Sequence, residues 1–320
     1  MDQAQLGDVQ RTLFIPLAAR AQETGKKRPV LRDPKAVAML AALDFDPAKY
    51  GKGAGGGIVV LRTAIFDYWV RAFLARHPAG TVVELGTGLN TRFERVDNGQ
   101  VHWIDLDLPD TIALRRRFFT DTDRRQMIPA SVLDENWRQA VAQCPGPYFF
   151  VTEGVLVYLP GDQVTRALAG IAQTFPGAYL ALDTYSRTSM RGQHRMAERR
   201  GIARWAWACD DPATLERLGL RVVEQASVTR PPARRAARPP ACPVPLPAAR
   251  GQPGGRWRAA PHPVPGGAGH SRVSCSSAGA SGWAAAGPGS RPAGRAGAAR
   301  RRPTRYRCAS SRTCSAIRSW

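Results

Sequence analysis

The sequence predicts an α/β fold, a mostly parallel sheet covered by helices on both faces. Three observations predict it. Between Gly80 and Val228 short apolar runs alternate with amphipathic stretches, the pattern of strand and crossover helix in turn. One of those runs, Val82-Val83-Glu84-Leu85, breaks into Gly86-Thr87-Gly88 before a new helix-forming stretch. About 19 residues after Gly88 a second run ends in Asp105-Leu106-Asp107.

In chain order, the first fifty residues read as a helical extension without strands, and Ile58 to Arg76 as a long helix with Val59, Ile65, Trp69, Phe73 and Leu74 on one stripe. The strands are expected at Thr81 to Leu85, Val101 to Asp105, Gln126 to Ala130, Tyr148 to Thr152, Ala178 to Leu182 and Arg221 to Ala226. Between them, helices are expected over Pro109 to Phe119, which opens on proline, over Gly161 to Phe175, and over Asp211 to Leu218, where an aspartate can cap before Pro212. This divides the chain into a cap (1–79), a sheet domain (80–230) and a tail (231–320).

The tail is a different polymer. It holds 16 Arg with no Lys, Asp or Glu, 14 of the 26 Pro and 12 of the 31 Gly. With one leucine (Leu246) and one isoleucine (Ile317) it cannot bury enough apolar area to offset the entropy of ordering ninety residues. It is expected to be disordered, with the last strand of the sheet missing. Its residue types are those of GC-rich codons and the change is abrupt, as in a frameshifted reading; a flexible linker or a polybasic arm are the competing readings. The net charge of +21 is therefore a property of the tail, since residues 1–230 carry only +5, and specific nucleic-acid binding by the folded part is not expected. No run approaches the ~20 apolar residues of a membrane span, and no secretory leader is evident, so a cytoplasmic protein is expected. Cys144 and Cys209, the cysteines outside the tail, have no metal or redox spacing, and no metal is expected.

A G-x-G turn lets backbone approach a ligand closely, and an acid at the next strand end can accept hydrogen bonds from ribose hydroxyls. With Thr91 at the third glycine position the segment is not a pyrophosphate-binding fingerprint. A nucleoside site without phosphates follows, for which S-adenosylmethionine is the candidate cofactor.

Four segments in order, Arg62-Thr-Ala-Ile-Phe-Asp67, Glu84-Leu-Gly86-Thr-Gly88-Leu-Asn-Thr-Arg92, Asp105-Leu-Asp107-Leu-Pro109 and Thr152-Glu153-Gly154-Val-Leu-Val-Tyr158, resemble the leucine carboxyl methyltransferase family, in particular its bacterial polyketide O-methyltransferases of the tetracenomycin type. Thr12-Leu-Phe-Ile-Pro-Leu and Asp33-Pro34 also resemble that branch. The resemblance implies a Rossmann-like class I methyltransferase sheet, an S-adenosylmethionine cofactor and methyl transfer to a carboxylate or hydroxyl oxygen of a small molecule. It implies Arg62 at the methionine carboxylate, Glu84, Gly86 and Gly88 around the cofactor, and Asp107 on the ribose with Asp105 as runner-up. Ser131 and Val132 fall at the adenine, Glu153 near the methionine ammonium, and Arg20 near the substrate. No residue is assigned catalysis: Tyr158 and Tyr185 read as packing or rim residues, and His77, His102 and His194 have no telling partners. If the last strand is missing, an inactive cofactor-binding remnant is the alternative; polyanion binding through the tail is the third reading.

Overall fold

The computed structural model of the protein describes residues 7–43, 56–228 and 312–319, all within one compact unit. The N-terminal part is a helical cap of α1 (Phe14–Thr24) and α2 (Pro34–Ala42), followed by α3 (Gly56–Leu74). Asp33 starts α2 by accepting a hydrogen bond from the Ala36 N–H, with Pro34 at the position where a missing N–H costs nothing.

The sheet then alternates with helices: β1 (Thr81–Leu85), α4 (Arg92–Val96), β2 (His102–Asp107), α5 (Pro109–Arg115), β3 (Arg125–Pro129), α6 (Asn136–Val141), β4 (Tyr148–Thr152), α7 (Gly161–Thr174), β5 (Tyr179–Tyr185), α8 (Arg187–Arg200), β6 (Leu220–Ser227) and β7 (Arg312–Ser319). Their spatial order is β3-β2-β1-β4-β5-β7-β6. The first five are parallel and β7 runs antiparallel between β5 and β6. The order reverses between β1 and β4, and open α/β sheets bind ligands beyond the strand ends at such a point.

Period-two alternation assigns the faces. Val83, Leu85, Ile104, Leu106 and Phe150 pack with Trp137, Leu168 and Ile171 of α6 and α7. Val82, Trp103, Phe149 and Val151 pack under Phe66, Trp69, Val70 and Phe73 of α3. Glu84, two residues after Val82, thus emerges on the α3 side. The cap joins a third cluster, in which Phe14, Leu17 and Met39 meet Leu89 of the glycine turn and Ile112 of α5.

Three sequence expectations need correction. The last strand is present: β7 pairs along its length with β5 and, across a bulge at Val222/Glu224, with β6. Tail composition averaged over ninety residues hid an eight-residue segment, and backbone hydrogen bonds to two neighbours do not depend on apolar content. Asp211–Leu218 is not an α-helix; Pro212–Leu218 is a 3-10 helix that ends at Gly219 with φ +79°. α5 stops at Arg115, short of Phe119. The expected disorder and frameshift of residues 231–311 lie outside the described residues. Among the described residues no helix is long and apolar enough to cross a membrane.

Candidate active site

The carboxyl ends of β1, β2 and β4 bring Glu84, Asp107 and Glu153 to the wall of one cavity of about 370 Å³; Asp183 of β5 does not line it but is bonded to Arg62, which does. The glycine turn leaves β1 with Gly86 at φ +65° and Gly88 at φ +50°. Both are in the region that glycine enters without strain. At Gly86 a side chain is also excluded by space, since a Cβ would stand 2.4 Å from Val155 Cγ2. Asp107 closes the turn: its Oδ2 accepts from the Gly88 N–H at 2.7 Å and its Oδ1 from the Leu108 N–H at 2.7 Å. Burial pushes its carboxyl up to about 6, against the pull of those two donors.

Beside the turn, Glu84, Glu153, Asp67 and Asp183 share one buried network with Arg62, Arg92 and Arg95. Arg92, with no exposed side-chain surface, donates to Glu84, Glu153 and Asp67. Arg62 of α3 donates Nε to Glu153 Oε1 at 3.0 Å and Nη1 to Asp183 Oδ2 and the Tyr185 hydroxyl at 3.0 and 2.8 Å. Glu153 also accepts from Thr63 Oγ1 at 2.8 Å. Burial raises the Glu153 carboxyl, but Arg62 and Arg92 outweigh it and hold it down to about 2. Glu84 goes the other way: burial dominates over the attraction of Arg92 and pushes it up to about 7.

Two atoms of this network are left over. Glu84 Oε1 accepts from Asn90 Nδ2 and Arg92, while the buried Oε2 has no partner among the described residues. Arg62 Nη2 is bonded to none of the described residues. A carboxylate oxygen and a guanidinium nitrogen without partners among the described residues, on two residues that line one cavity, complement an amino-acid zwitterion, and the glycine turn with Asp107 complements a ribose.

Arg62, Glu84, Gly86, Gly88, Asp107, Ser131, Val132, Glu153 and Arg20 all line this cavity. Asp105 does not. It shares a strand face with Asp107 but lies two residues further inside, where it is fully buried and accepts from Thr87, Trp103 and Arg125. Glu153, expected near an ammonium, has both oxygens engaged by arginines, and the bare oxygen belongs to Glu84. Ser131 turns inward on its own loop, its N–H donating to Asp134. Sequence reasoning missed Arg92 as the network's centre, and Asp183 and Tyr185 as partners of Arg62. Asp183 had a legible signal, an acid near the end of a strand like Glu84 and Glu153. The cavity is also lined by apolar and aromatic side chains, among them Leu13, Pro16, Ile58, Tyr158, Met196 and Trp205; the Tyr185 and Trp205 rings stand 4.3 Å apart.

The family profile described as leucine carboxyl methyltransferase matches residues 14–172. The tetracenomycin polyketide synthesis O-methyltransferase of Streptomyces glaucescens is 33% identical over 240 residues, covering 73% of this chain and 88% of that one. The chain belongs to the leucine carboxyl methyltransferase family. A second relative, an S-adenosyl-L-methionine-dependent methyltransferase of Gibberella zeae, is 26% identical over 187 residues, 53% of this chain and 62% of its own. Among solved structures, an O-methyltransferase family protein from Burkholderia thailandensis aligns over 71% of each chain at 15% identity and a TM-score of 0.39; the fold of this family member rests on its own strand order.

Proposed function

We propose that the protein transfers the methyl group of S-adenosylmethionine to an oxygen of a small, polyketide-like acceptor, with a carboxylate as the nucleophile that the site suits best. The observation that carries this reading is that Glu84 Oε2 and Arg62 Nη2, on two residues that line the same cavity as the glycine turn, have no partners among the described residues, in a cavity also lined by apolar and aromatic side chains. The cofactor supplies an electrophilic methyl group on a sulfonium. Arg62 and Glu84 would hold its amino-acid end, Gly86, Gly88 and Asp107 its ribose, and Ser131 and Val132 the edge of the base.

In-line displacement asks the protein chiefly to align the acceptor oxygen and exclude water. Tyr158, Trp205 and Met196, which line the cavity, would flank the acceptor and exclude water. A phenol, with a pKa of about 10, benefits from a general base, whereas a carboxylate is already ionised. The carboxylates on the wall, Glu84, Asp107 and Glu153, belong to the cofactor side of this scheme. The small acceptor is favoured by the enclosed volume and by the relative from Streptomyces glaucescens.

Calorimetric titration of the full chain with S-adenosylhomocysteine tests the cofactor, and methyl-ester formation on a panel of aromatic acids and matched phenols tests the nucleophile. No heat from folded protein overturns the first, and turnover of the phenols alone overturns the second. The remnant alternative loses its premise with the presence of β7. Polyanion binding by the tail falls on residues outside those described.

A further inference from the structure

The glycine turn is held from behind. Four consecutive carbonyls after Gly86 have partners: Thr87 O accepts from the Asn90 N–H at 2.9 Å, Gly88 O and Asn90 O both accept from Arg115 Nη1 at 3.0 and 2.7 Å, and Leu89 O accepts from Arg20 Nη2 at 2.8 Å. Both guanidiniums are buried, at 0% and 2% residue exposure. Arg115, at the end of α5, is itself fixed by Asp105, 3.0 Å from its Nη2, and by the Phe119 ring. Arg20 comes from the cap. Its Nε donates to Asp33 Oδ2 at 2.8 Å, and the same carboxylate oxygen receives Arg95 Nη1 at 3.0 Å and the Thr91 hydroxyl. Thr91 immediately follows the turn. A peptide plane is rigid, so a clamped carbonyl also fixes the direction of the next N–H. In a turn containing two left-handed glycines, where the planes are otherwise free to flip, that is what sets the cradle's shape.

We infer that Arg20 and Arg115 are positioning residues for the glycine cradle, and that Arg20, through Asp33, makes the order of the cradle depend on the docking of the α1–α2 cap. The inference rests on the reading of the cradle as the cofactor site. Cofactor affinity and cap docking are then linked, and linkage is reciprocal: what docks the cap tightens the cofactor, and the cofactor tightens the cap.

The experiment uses the full chain with Arg20→Met, Arg20→Lys, Arg115→Met and Arg115→Lys, read by amide hydrogen exchange and by S-adenosylhomocysteine affinity. In the ligand-free methionine variants, exchange is expected to accelerate selectively over residues 86–92, and affinity to fall about tenfold. A merely structural loss would speed exchange throughout the sheet. Lysine cannot span Asp33 and Leu89 O with one planar fork, so Arg20→Lys should recover only part of the loss. Folded methionine variants with wild-type exchange over 86–92 and wild-type affinity overturn the inference. Should those variants not fold, the wild type decides: the ligand must slow exchange at the Ala36 N–H, which Asp33 holds at 2.9 Å and which does not line the cavity, and an unchanged rate refutes the linkage. If the wild type binds no S-adenosylhomocysteine, the cofactor reading fails, while the ligand-free exchange comparison still decides for or against the clamp.

Discussion

Glu84 is buried at the cavity wall, with one oxygen bonded and the other without a partner among the described residues, and its protonation follows from that. Because burial raises its pKa from 4.5 to about 7, the stability that Glu84 contributes is full below 4.5 and is lost as pH rises through 7. Glu153 has the opposite sign: lowered from 4.5 to about 2, its contribution is present above 4.5 and is lost as pH falls through 2. A ligand ammonium placed on Glu84 Oε2 must displace a proton near neutrality. Cofactor-product affinity should therefore rise from about pH 6 to 8 with uptake of the released proton by buffer, and Glu84→Gln should abolish that slope. Calorimetry in buffers of different ionisation enthalpy measures it. Arg62→Ala leaves Glu153 and Asp183, at 6% and 1% side-chain exposure, short of a shared cation, which should cost about 3–5 kcal/mol of stability as well as ligand affinity. Adding Asp183→Asn should recover part of the stability in a double-mutant cycle; additive losses would show that the pair is not coupled. Gly86→Ala should be worse than Gly88→Ala. Both pay for positive φ, but the first also drives a methyl into Val155, whereas at Gly88 the nearest atom, Leu13 Cβ, is 3.4 Å away; roughly 1–2 kcal/mol for the backbone alone is the expected floor at either position. Thermal unfolding of the two variants ranks them.

At the level of elements, β1 and β4 were legible residue for residue because a parallel strand buried on both faces is a continuous apolar run with sharp ends. The α7 and α3 stripes were legible for the corresponding reason at period 3.6. α8 was not, since of its fourteen residues it buries only Gln193 and Ala197 and shows no apolar stripe to read. Nor was the burial of Arg20, Arg92 and Arg115 legible. In sequence each looks like a solvated helix residue, and only the arrival of Asp33, Glu84 and Asp105 from other elements makes it an interior one. β7 is the element most open to test. Ending the chain before Arg312 removes the partner of both β5 and β6 and leaves two rows of unpaired backbone. Such a chain should unfold at lower temperature and self-associate, seen in thermal melts and size-exclusion chromatography, while amides of 312–319 in the full chain should exchange slowly. Fast exchange there would return the sheet to six strands.

On the scale of the whole molecule, the glycine turn beside β1 and β2 and the seam of β7 and β6 lie on different parts of one sheet, so the first can be read from local motifs while the second needs the entire chain. That arrangement bears on the order in which the protein is made and folds. β6 has β7 as its sheet neighbour, yet 84 residues separate Ser227 from Arg312. Closing such a stretch costs roughly 4 kcal/mol of chain entropy before any pairing rewards it. During synthesis β1 to β5 can assemble on the ribosome, but β6 has to wait for a strand not yet translated, with its own hydrogen-bonding groups and the far edge of β5 open to other chains. For this protein, chaperone demand and yield should track the interval between the translation of residue 227 and that of residue 319, rather than the stability of the finished sheet.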